Sequence, residues 1–405
     1  MLVVFSYREQ FHCTPVKMAA MIRAAENVLW SETFWFANGT SWRDLESTDP
    51  DIYYPKFSDM NISFFVGFLL LGMRYIYERL IVVPIAKRLG LKDRYVYLVP
   101  NQMLEAMYKH IKGKRLSKTD IEKAQKQTDM TERQVQRWFF RRRLKDVPSN
   151  LFRFRDQSWQ MLFYLTSFTY GMFTLWDKPW LWDTTNCWKG WPKQHVTNDI
   201  YYFYLVEMGF YWCLLFTLFY DVKRKDFWEM ATHHMITMML LYFSWIINYV
   251  RVGTLVLVVH DASDHWMAAA KMAKYLKKQL LCEVLFFIFI AIWVFCRLYL
   301  YPFWILKTTY FEVHDYVAVG TCFWLFNFLL AVLQVLHIVW TCFILRVIVM
   351  KVTKGSIERD IRSDTSDIDD MPYSSQSEEE LSNSTPSKPV MNGVTAPRLI
   401  RNHDS

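Results

Sequence analysis

The chain has 405 residues, of which 53% are hydrophobic and 18% aromatic. Because the apolar residues occur in long runs rather than with a helical or strand period, the composition argues against one soluble core and predicts a membrane protein. The net charge is +8, but residues 84–150 alone hold 17 basic and 7 acidic residues. Seven cysteines show neither a CxxC nor a zinc-like spacing, which excludes a disulfide scaffold.

Apolar runs of about 20 residues are long enough to cross a bilayer. The chain has seven, at residues 63–83, 158–176, 200–220, 232–250, 252–270, 283–303 and 320–347. Clusters of Lys and Arg follow the first, third, fifth and seventh runs, and such clusters stay in the cytosol. The sequence therefore predicts an all-α, multi-pass transmembrane helical bundle of about seven spans, with a lumenal N-terminus and a cytosolic C-terminus.

The first run contains two charged residues, Arg74 and Glu78, whose i,i+4 spacing predicts an ion pair on one helix face. Residues 1–30 lack the apolar region of a cleaved signal peptide, so the first run is expected to serve as the insertion signal. Residues 1–62 then form a lumenal segment. Its sequons predict glycosylation at Asn38 and Asn61.

Residues 351–405 are rich in Ser, Asp, Glu and Pro and poor in aromatic residues, which predicts a disordered cytosolic tail. Ser366, Ser375 and Ser377 each have an acidic residue three positions later. This pattern is favoured by acidophilic kinases and makes the three serines candidate phosphorylation sites. The alternative is a solvated acidic tail without modification.

Between the first two runs, residues 98–146 predict three short helices. Pro100 stands at the start of the first, Ser117 can cap the second, and Thr131 with Gln134 forms a capping box for the third. The third helix has an apolar face that includes Val135, Trp138 and Phe139. A basic stripe suited to phosphate groups runs along another face, through Arg133, Arg137, Arg141 and Lys145.

Residues 135–143, VQRWFFRRR, resemble the recognition helix of a homeodomain, whose pattern is Trp-Phe-x-Asn-Arg-Arg. The resemblance covers residues 91–150 and implies a small cytosolic three-helix module. Arg141 stands where homeodomains carry the adenine-reading Asn. We therefore expect phosphate contact with anionic lipid or coenzyme A, with DNA contact as the alternative. The candidate contact residues are Arg137, Arg141, Arg142, Arg143 and Lys145, and residues 141–145 also match a nuclear import signal.

Two neighbouring runs carry ionisable residues, although an Asp at the centre of a membrane helix costs roughly 2.5–3.5 kcal/mol. His233 and His234 open the fourth run, and His260, Asp261 and Asp264 lie in the fifth. On a helix the last three residues share one face. We therefore predict that all five converge.

Such a cluster suits acyl transfer, because a histidine can remove a proton from an attacking amine or carry the acyl group itself. A carboxylate can orient that histidine. Two other interpretations stay open. The cluster can be a polar network that fixes helix packing, or a zinc or iron site, although the HExxH pair and the histidine-rich boxes of such sites are missing.

Residues 221–234, DVKRKDFWEMATHH, with residues 248–254 and 260–264, HDASD, resemble the Lag1 motif of ceramide synthases. The likeness covers residues 60–350 and is closest to an insect member of that family. One departure is Ala268, where family members commonly carry Glu three residues before the Lys at 271. The resemblance implies transfer of a fatty acyl group from acyl-CoA to the amine of a sphingoid base, giving (dihydro)ceramide at the endoplasmic reticulum.

The resemblance also implies site roles. His233 or His234 would be the nucleophile or general base, with His260, Asp261 and Asp264 as its partners. No metal or organic cofactor is expected beyond the co-substrate acyl-CoA, because a thioester is already activated. Residues 151–350 would form the catalytic TLC/Lag1 domain, residues 304–319 would help set acyl chain length, and the enzyme would form a homo- or heterodimer.

Two other functions compete with the enzyme. The first is a membrane-tethered homeodomain regulator of lipid-metabolism genes at the nuclear envelope. The second is a lipid transporter or sensor whose His and Asp residues bind a lipid without turnover.

Overall fold

The computed structural model of the protein describes residues 27, 30–37, 39–94, 96–111, 116–220 and 226–354. In these ranges the chain is helical and contains no β-strand. It forms two compact units, one from the residues up to Arg94 and from Val147 onward, the other from Tyr95–Asp146. Asn38, Ser366, Ser375 and Ser377 lie outside the described residues.

The described residues contain ten α-helices of ten residues or more. They are α1 (Phe57–Tyr77), α2 (Gln102–Ile111), α3 (Lys118–Thr128), α4 (Glu132–Asp146), α5 (Asn150–Leu175), α6 (Asn198–Tyr220), α7 (Phe227–Ile246), α8 (Val250–Tyr275), α9 (Gln279–Trp293) and α10 (Thr321–Lys354). Two of them continue as π-helical and then short α-helical segments: α1 through Glu78–Val82 and Val83–Arg88, and α9 through Val294–Leu306 and Lys307–Tyr310. Single turns occur at Glu32–Trp35, Trp42–Leu45, Pro179–Trp182, Thr184–Cys187 and Glu312–Asp315.

Each of the seven predicted membrane runs falls on one long helix of the first unit. By length and composition, three helices in the described chain are apolar enough to cross a bilayer, at Asn198–Leu218, Gln279–Asp315 and Thr321–Thr353. The other four predicted runs lie on α1, α5, α7 and α8. A helical membrane bundle is therefore confirmed, and the count of seven crossings stays a prediction.

The helix of the first run starts at Phe57, six residues earlier than predicted. The sequon at Asn61 consequently lies within α1. The Asn61 side chain is exposed, whereas Ser63 is buried and its hydroxyl donates to the Met60 carbonyl at 2.6 Å. Glycosylation at Asn61 stays a prediction.

Helices α1 and α6 pack closely through two glycines. A Cβ added to Gly67 would lie 2.9 Å from Trp212 Cβ and 3.0 Å from the Gly209 carbonyl oxygen. A Cβ on Gly209 would lie 2.6 Å from a Val66 methyl carbon. Small residues let membrane helices approach in this way, so α1 is held closely against α6.

The turn between α7 and α8 makes these helices antiparallel neighbours. Asn248 adopts a left-handed conformation with φ of 57°, which Asn tolerates better than most residues. Its side-chain amide donates to the carbonyls of Pro192 and Gln194, both at 2.8 Å. The turn therefore places His233 and His234 beside His260.

The ion pair predicted in the first run is present and belongs to a larger network. Arg74 Nε lies 2.7 Å from Glu78 Oε1, and Arg74 Nη2 lies 2.9 Å from Asp156 Oδ1 on α5. Arg155 Nε lies 2.7 Å from Glu78 Oε2. Two cations thus balance two carboxylates, which explains how charged residues are accommodated in this helix.

The second unit has a small core of its own. Leu104, Tyr108, Ala124, Val135, Trp138 and Phe139 are buried together. Asn101, rather than Pro100, caps α2, because its side-chain oxygen accepts from the amides of Met103 and Leu104 at 3.1 Å. Ser117 caps α3 by accepting from the amide of Asp120, and the Thr131 amide donates to Gln134, as predicted.

We predict that Arg74→Ala lowers the free energy of unfolding by about 3 kcal/mol, because it leaves two largely buried carboxylates short of a partner. Thermal unfolding of the detergent-solubilised protein measures this loss. Arg79→Ala is the matched control, because Arg79 is exposed one residue after Glu78. Equal melting temperatures for the two variants would contradict the role given to the network.

Candidate active site

A cavity of about 130 Å³ lies in the first unit between six long helices, α5 to α10 with the π-helical continuation of α9. Four of the five predicted site residues line it: His233, His234, His260 and Asp264. Its walls include the aromatic residues Tyr164, Tyr211, Phe289, Trp293 and Trp340. The cavity thus combines an apolar lining with a small set of ionisable groups, the usual character of a ligand site.

One end of the cavity is formed by residues close to helix ends. Leu218 lies near the end of α6, Phe227 begins α7, and Lys271 lies in the last turns of α8. These positions adjoin the loops that the charge pattern assigns to the cytosol. The cavity therefore extends to this end of the six helices.

Arg297 is the central buried cation of this site. It lies in the π-helical segment Val294–Leu306, and its side chain is 3% exposed. Nη2 donates to the His260 carbonyl at 2.8 Å and lies 3.2 Å from Asp264 Oδ2. Nη1 lies 3.0 Å from His337 Nε2. Because a guanidinium is always protonated and only donates, His337 Nε2 must be the acceptor.

The surroundings of His260 determine where its protons lie. His260 Nδ1 is 2.7 Å from the Val256 carbonyl oxygen, so Nδ1 must carry a proton. His260 Nε2 is 3.2 Å from His337 Nε2, which already accepts from Arg297. The lone pair of His337 Nε2 is therefore not available to His260. With its proton on Nδ1, a neutral His260 keeps the lone pair of Nε2 beside the cavity, where it can accept a proton.

The ring of His233 stands between His260 and an aromatic wall. Its centroid is 6.4 Å from that of His260, with the rings inclined by 20°, and 5.2 Å from that of Trp340. Within the described part of the chain, His233 Nδ1 has no hydrogen-bond partner although it is buried. A buried nitrogen without a partner in the fold is costly, and a molecule bound in the cavity could satisfy it.

Asp261 does not line the cavity. It faces α5 and α6, where its Oδ2 accepts from the Ser167 hydroxyl at 2.6 Å, and Ser167 also contacts Glu207. All three side chains are buried. One hydroxyl proton cannot serve two carboxylates, so the two acids share an additional proton. The predicted convergence thus holds for His260 and Asp264, while Asp261 belongs to a neighbouring cluster.

Three residues of these clusters were not singled out from the sequence: Glu207, Arg297 and His337. Each lies inside a predicted apolar run, at 200–220, 283–303 and 320–347. We chose His260 as a candidate because a polar group in a membrane helix is costly. The same criterion applies to Glu207, Arg297 and His337 and would have identified them. Among the described residues, no group of three or more His, Cys, Asp or Glu could hold a metal ion.

In the second unit, Arg142 is held by internal contacts. Nε and Nη2 bind both oxygens of Glu105 at 2.8 and 2.9 Å, and Nη1 binds Asp146 at 2.6 Å. The bond to Arg142 lowers the pKa of Glu105. Burial and a hydrogen bond to Asp146 raise the pKa of Tyr108 to about 12. The charge of Arg142 is therefore largely satisfied within the unit.

The other candidate phosphate contacts lie on the same helix. Arg137 and Lys145 are exposed, and Arg141 and Arg143 are partly exposed. These four residues, rather than Arg142, give α4 its basic surface.

The fold and the cavity define a helical membrane protein, and a family model described as a TLC domain matches residues 153–346. Human ceramide synthase 5 is 41% identical over 337 residues, which cover 83% of this chain and 86% of that protein. Human ceramide synthase 4 is 38% identical over 364 residues, covering 89% and 91%. Ceramide synthase hyl-2 of Caenorhabditis elegans is 29% identical over 351 residues, covering 83% and 93%. The chain belongs to the ceramide synthase family, which confirms the resemblance seen in the sequence.

We predict that Arg142→Met destabilises the second unit by about 1 kcal/mol, because its ion pairs are partly exposed to solvent. Hydrogen exchange of α2 and α4 in the full-length protein measures the change. Arg141→Met, one residue earlier, is the control and should leave the exchange unchanged.

The effect of Arg142→Met should depend on pH. The pKa of Glu105 is depressed below its ordinary value of 4.5, so the stability from this pair is present above that pH. It is lost as the pH falls through the depressed pKa. Equal protection of wild type and Arg142→Met at neutral pH would contradict the assignment.

Proposed function

We propose that this ceramide synthase transfers a fatty acyl group from acyl-CoA to the amine of sphinganine or sphingosine. The products are (dihydro)ceramide and free coenzyme A. The observation that carries the proposal is the cavity in which His233, His234 and His260 meet Asp264 and Arg297. Relatives about 40% identical over most of the chain are named ceramide synthases.

In the reaction the amine nitrogen bonds to the thioester carbonyl carbon, and the carbon–sulfur bond breaks. The amine loses a proton and the sulfur leaves as a thiolate or takes a proton. His233 or His234 would accept the amine proton or carry the acyl group between two half-reactions. His260 Nε2, which is unprotonated in the neutral ring because Nδ1 donates to Val256, would hold the other proton.

Arg297 and Asp264 act on the histidines by positioning them. The Arg297 guanidinium fixes the acceptor nitrogen of His337 and binds the backbone of His260. Asp264 balances the charge of Arg297. A buried ion pair with additional hydrogen bonds is a rigid support, and rigid support of reacting groups is a main source of catalytic rate.

The two substrates would approach the cavity differently. The aromatic walls suit the hydrocarbon chains, which arrive through the bilayer. Lys271 at the cytosolic end suits the phosphates of coenzyme A. We propose no metal or organic cofactor, because the thioester is already activated. We further propose a location in the endoplasmic reticulum membrane, with the N-terminus in the lumen and the C-terminus in the cytosol, and assembly as a homo- or heterodimer.

A second proposal concerns the three-helix unit alone. Its basic residues Arg137, Arg141, Arg143 and Lys145 on α4 support contact with a polyanion. Arg141 replaces the Asn that reads adenine in homeodomains, and Arg142 is engaged with Glu105 and Asp146. These features favour phosphate contact without base reading, on an anionic membrane or on DNA in the nucleus.

We predict that His233→Ala and His234→Ala each lower ceramide formation by about a hundredfold or more, the usual contribution of a positioned acid–base group. The assay uses microsomes from a host without ceramide synthase, supplied with sphinganine and acyl-CoAs of several lengths. Met235→Ala is the matched control, because Met235 is the next residue of α7 and is 50% exposed. It should retain activity at equal protein level.

The outcomes separate the competing functions. If the histidine variants are active, the chain still catalyses the reaction, but these two histidines have no essential role in its mechanism. If the wild-type chain binds acyl-CoA or sphinganine and forms no product at any chain length, the lipid sensor or transporter becomes the better account.

A further inference from the structure

Two tryptophans line the cavity, and their indole N–H groups differ in what they bind. Trp293 Nε1 donates to the Thr341 hydroxyl at 3.0 Å, so its hydrogen bond is made within the fold. Trp340 Nε1 is buried and, in the part of the chain that the structure describes, has no hydrogen-bond partner. An indole nitrogen can only donate. Trp340 therefore holds a donor for which the described residues supply no acceptor.

Packing alone does not explain an indole at position 340. The side chain belongs to α10 and is 7% exposed, and a buried donor without an acceptor costs free energy. A phenylalanine would fill much of the same space with no polar group to satisfy. The N–H group is thus the part of Trp340 that a bound molecule can use.

The indole lies against one of the two histidines proposed to act on the substrates. The ring centroids of Trp340 and His233 are 5.2 Å apart, and the ring planes are inclined by 82°. His233 Nδ1 is also a buried nitrogen of the cavity lining without a partner among the described residues. A group that binds against the His233 ring therefore lies beside the indole as well.

We propose that the Trp340 indole N–H is a catalytic hydrogen-bond donor to the thioester carbonyl oxygen of acyl-CoA. The inference deepens the proposed acyl transfer and rests on it. When a histidine or the amine attacks the carbonyl carbon, the carbonyl oxygen takes up negative charge. That electron pair re-forms the carbonyl as the carbon–sulfur bond breaks and coenzyme A leaves as its thiolate. A donor already in place stabilises the charged oxygen without reorganisation, and the neutral indole keeps its proton throughout.

The first test measures turnover of the full-length protein with acyl-CoA and sphinganine. Trp340→Phe should lower kcat by about a hundredfold, the usual loss when one donor to such an oxygen is removed, whereas the KM for acyl-CoA changes little. Its melting temperature should stay close to that of wild type, because no hydrogen bond among the described residues is broken. Trp293→Phe is the matched control from the same lining. It breaks the bond to Thr341, so it should lower the melting temperature and reduce turnover less than Trp340→Phe does.

A second measurement separates the loss of a hydrogen bond from a change in packing. In the dithioester analogue of acyl-CoA, sulfur replaces the carbonyl oxygen and accepts hydrogen bonds poorly. The ratio of the rate with the oxygen substrate to the rate with the sulfur analogue should be about tenfold smaller in Trp340→Phe than in wild type. In Trp293→Phe this ratio should match that of wild type, because the donor at Trp340 is still present.

Wild-type turnover in Trp340→Phe would overturn the proposal. So would a slow Trp340→Phe whose oxygen-to-sulfur ratio equals that of wild type, because the loss would then come from altered packing of His233. If Trp340→Phe does not fold, the infrared carbonyl stretch of isotope-labelled acyl-CoA bound to His233→Ala decides. A hydrogen bond weakens the C=O bond, so the stretch should be lower than in detergent alone, and an unshifted stretch would overturn the proposal. Failure of the proposed function itself looks different, since wild type then forms no ceramide at any chain length.

Discussion

The arrangement of the site follows from one constraint on Arg297. A guanidinium buried among membrane helices needs an opposite charge and hydrogen-bond acceptors within reach. Asp264 supplies the opposite charge, the His260 carbonyl accepts one donor and His337 accepts another. These contacts join α8, the continuation of α9 and α10. They also place His337 Nε2 3.2 Å from His260 Nε2, so the surroundings of this nitrogen beside the cavity depend on a cation that does not itself titrate.

The same constraint explains the other polar groups inside the bundle. Arg74 and Arg155 are balanced by Glu78 and Asp156, and Ser167 joins Glu207 to Asp261. These groups contact neighbouring helices and do not line the cavity. They hold helices together, whereas His233, which has a buried nitrogen without a partner among the described residues, lines the cavity.

Much of this architecture could be predicted from the sequence, because it is local. The seven apolar runs, the Arg74–Glu78 pair and the caps of α3 and α4 depend on neighbours within a few residues. Helical periodicity also places His260, Asp261 and Asp264 on one broad face. Periodicity does not show which neighbouring helix each side chain contacts. Asp261, for example, contacts Ser167, which lies 94 residues earlier in the chain. His337 lies 77 residues after His260, and only tertiary packing brings the two together. The packing of Tyr204 on α6 against Gly253 on α8 could not be predicted either, because only tertiary packing brings the two helices together.

The central claim is that Arg297 controls the reaction through the histidine it orients, and a double-mutant cycle tests it most directly. Ceramide formation at saturating substrates would be compared for wild type, Arg297→Gln, His337→Asn and the double variant, with thermal unfolding as a check on folding. If the guanidinium acts through His337, the double variant should be about as slow as Arg297→Gln alone, because the second change removes an interaction already lost. Losses that multiply in the double variant would contradict this account and show that the two residues act independently.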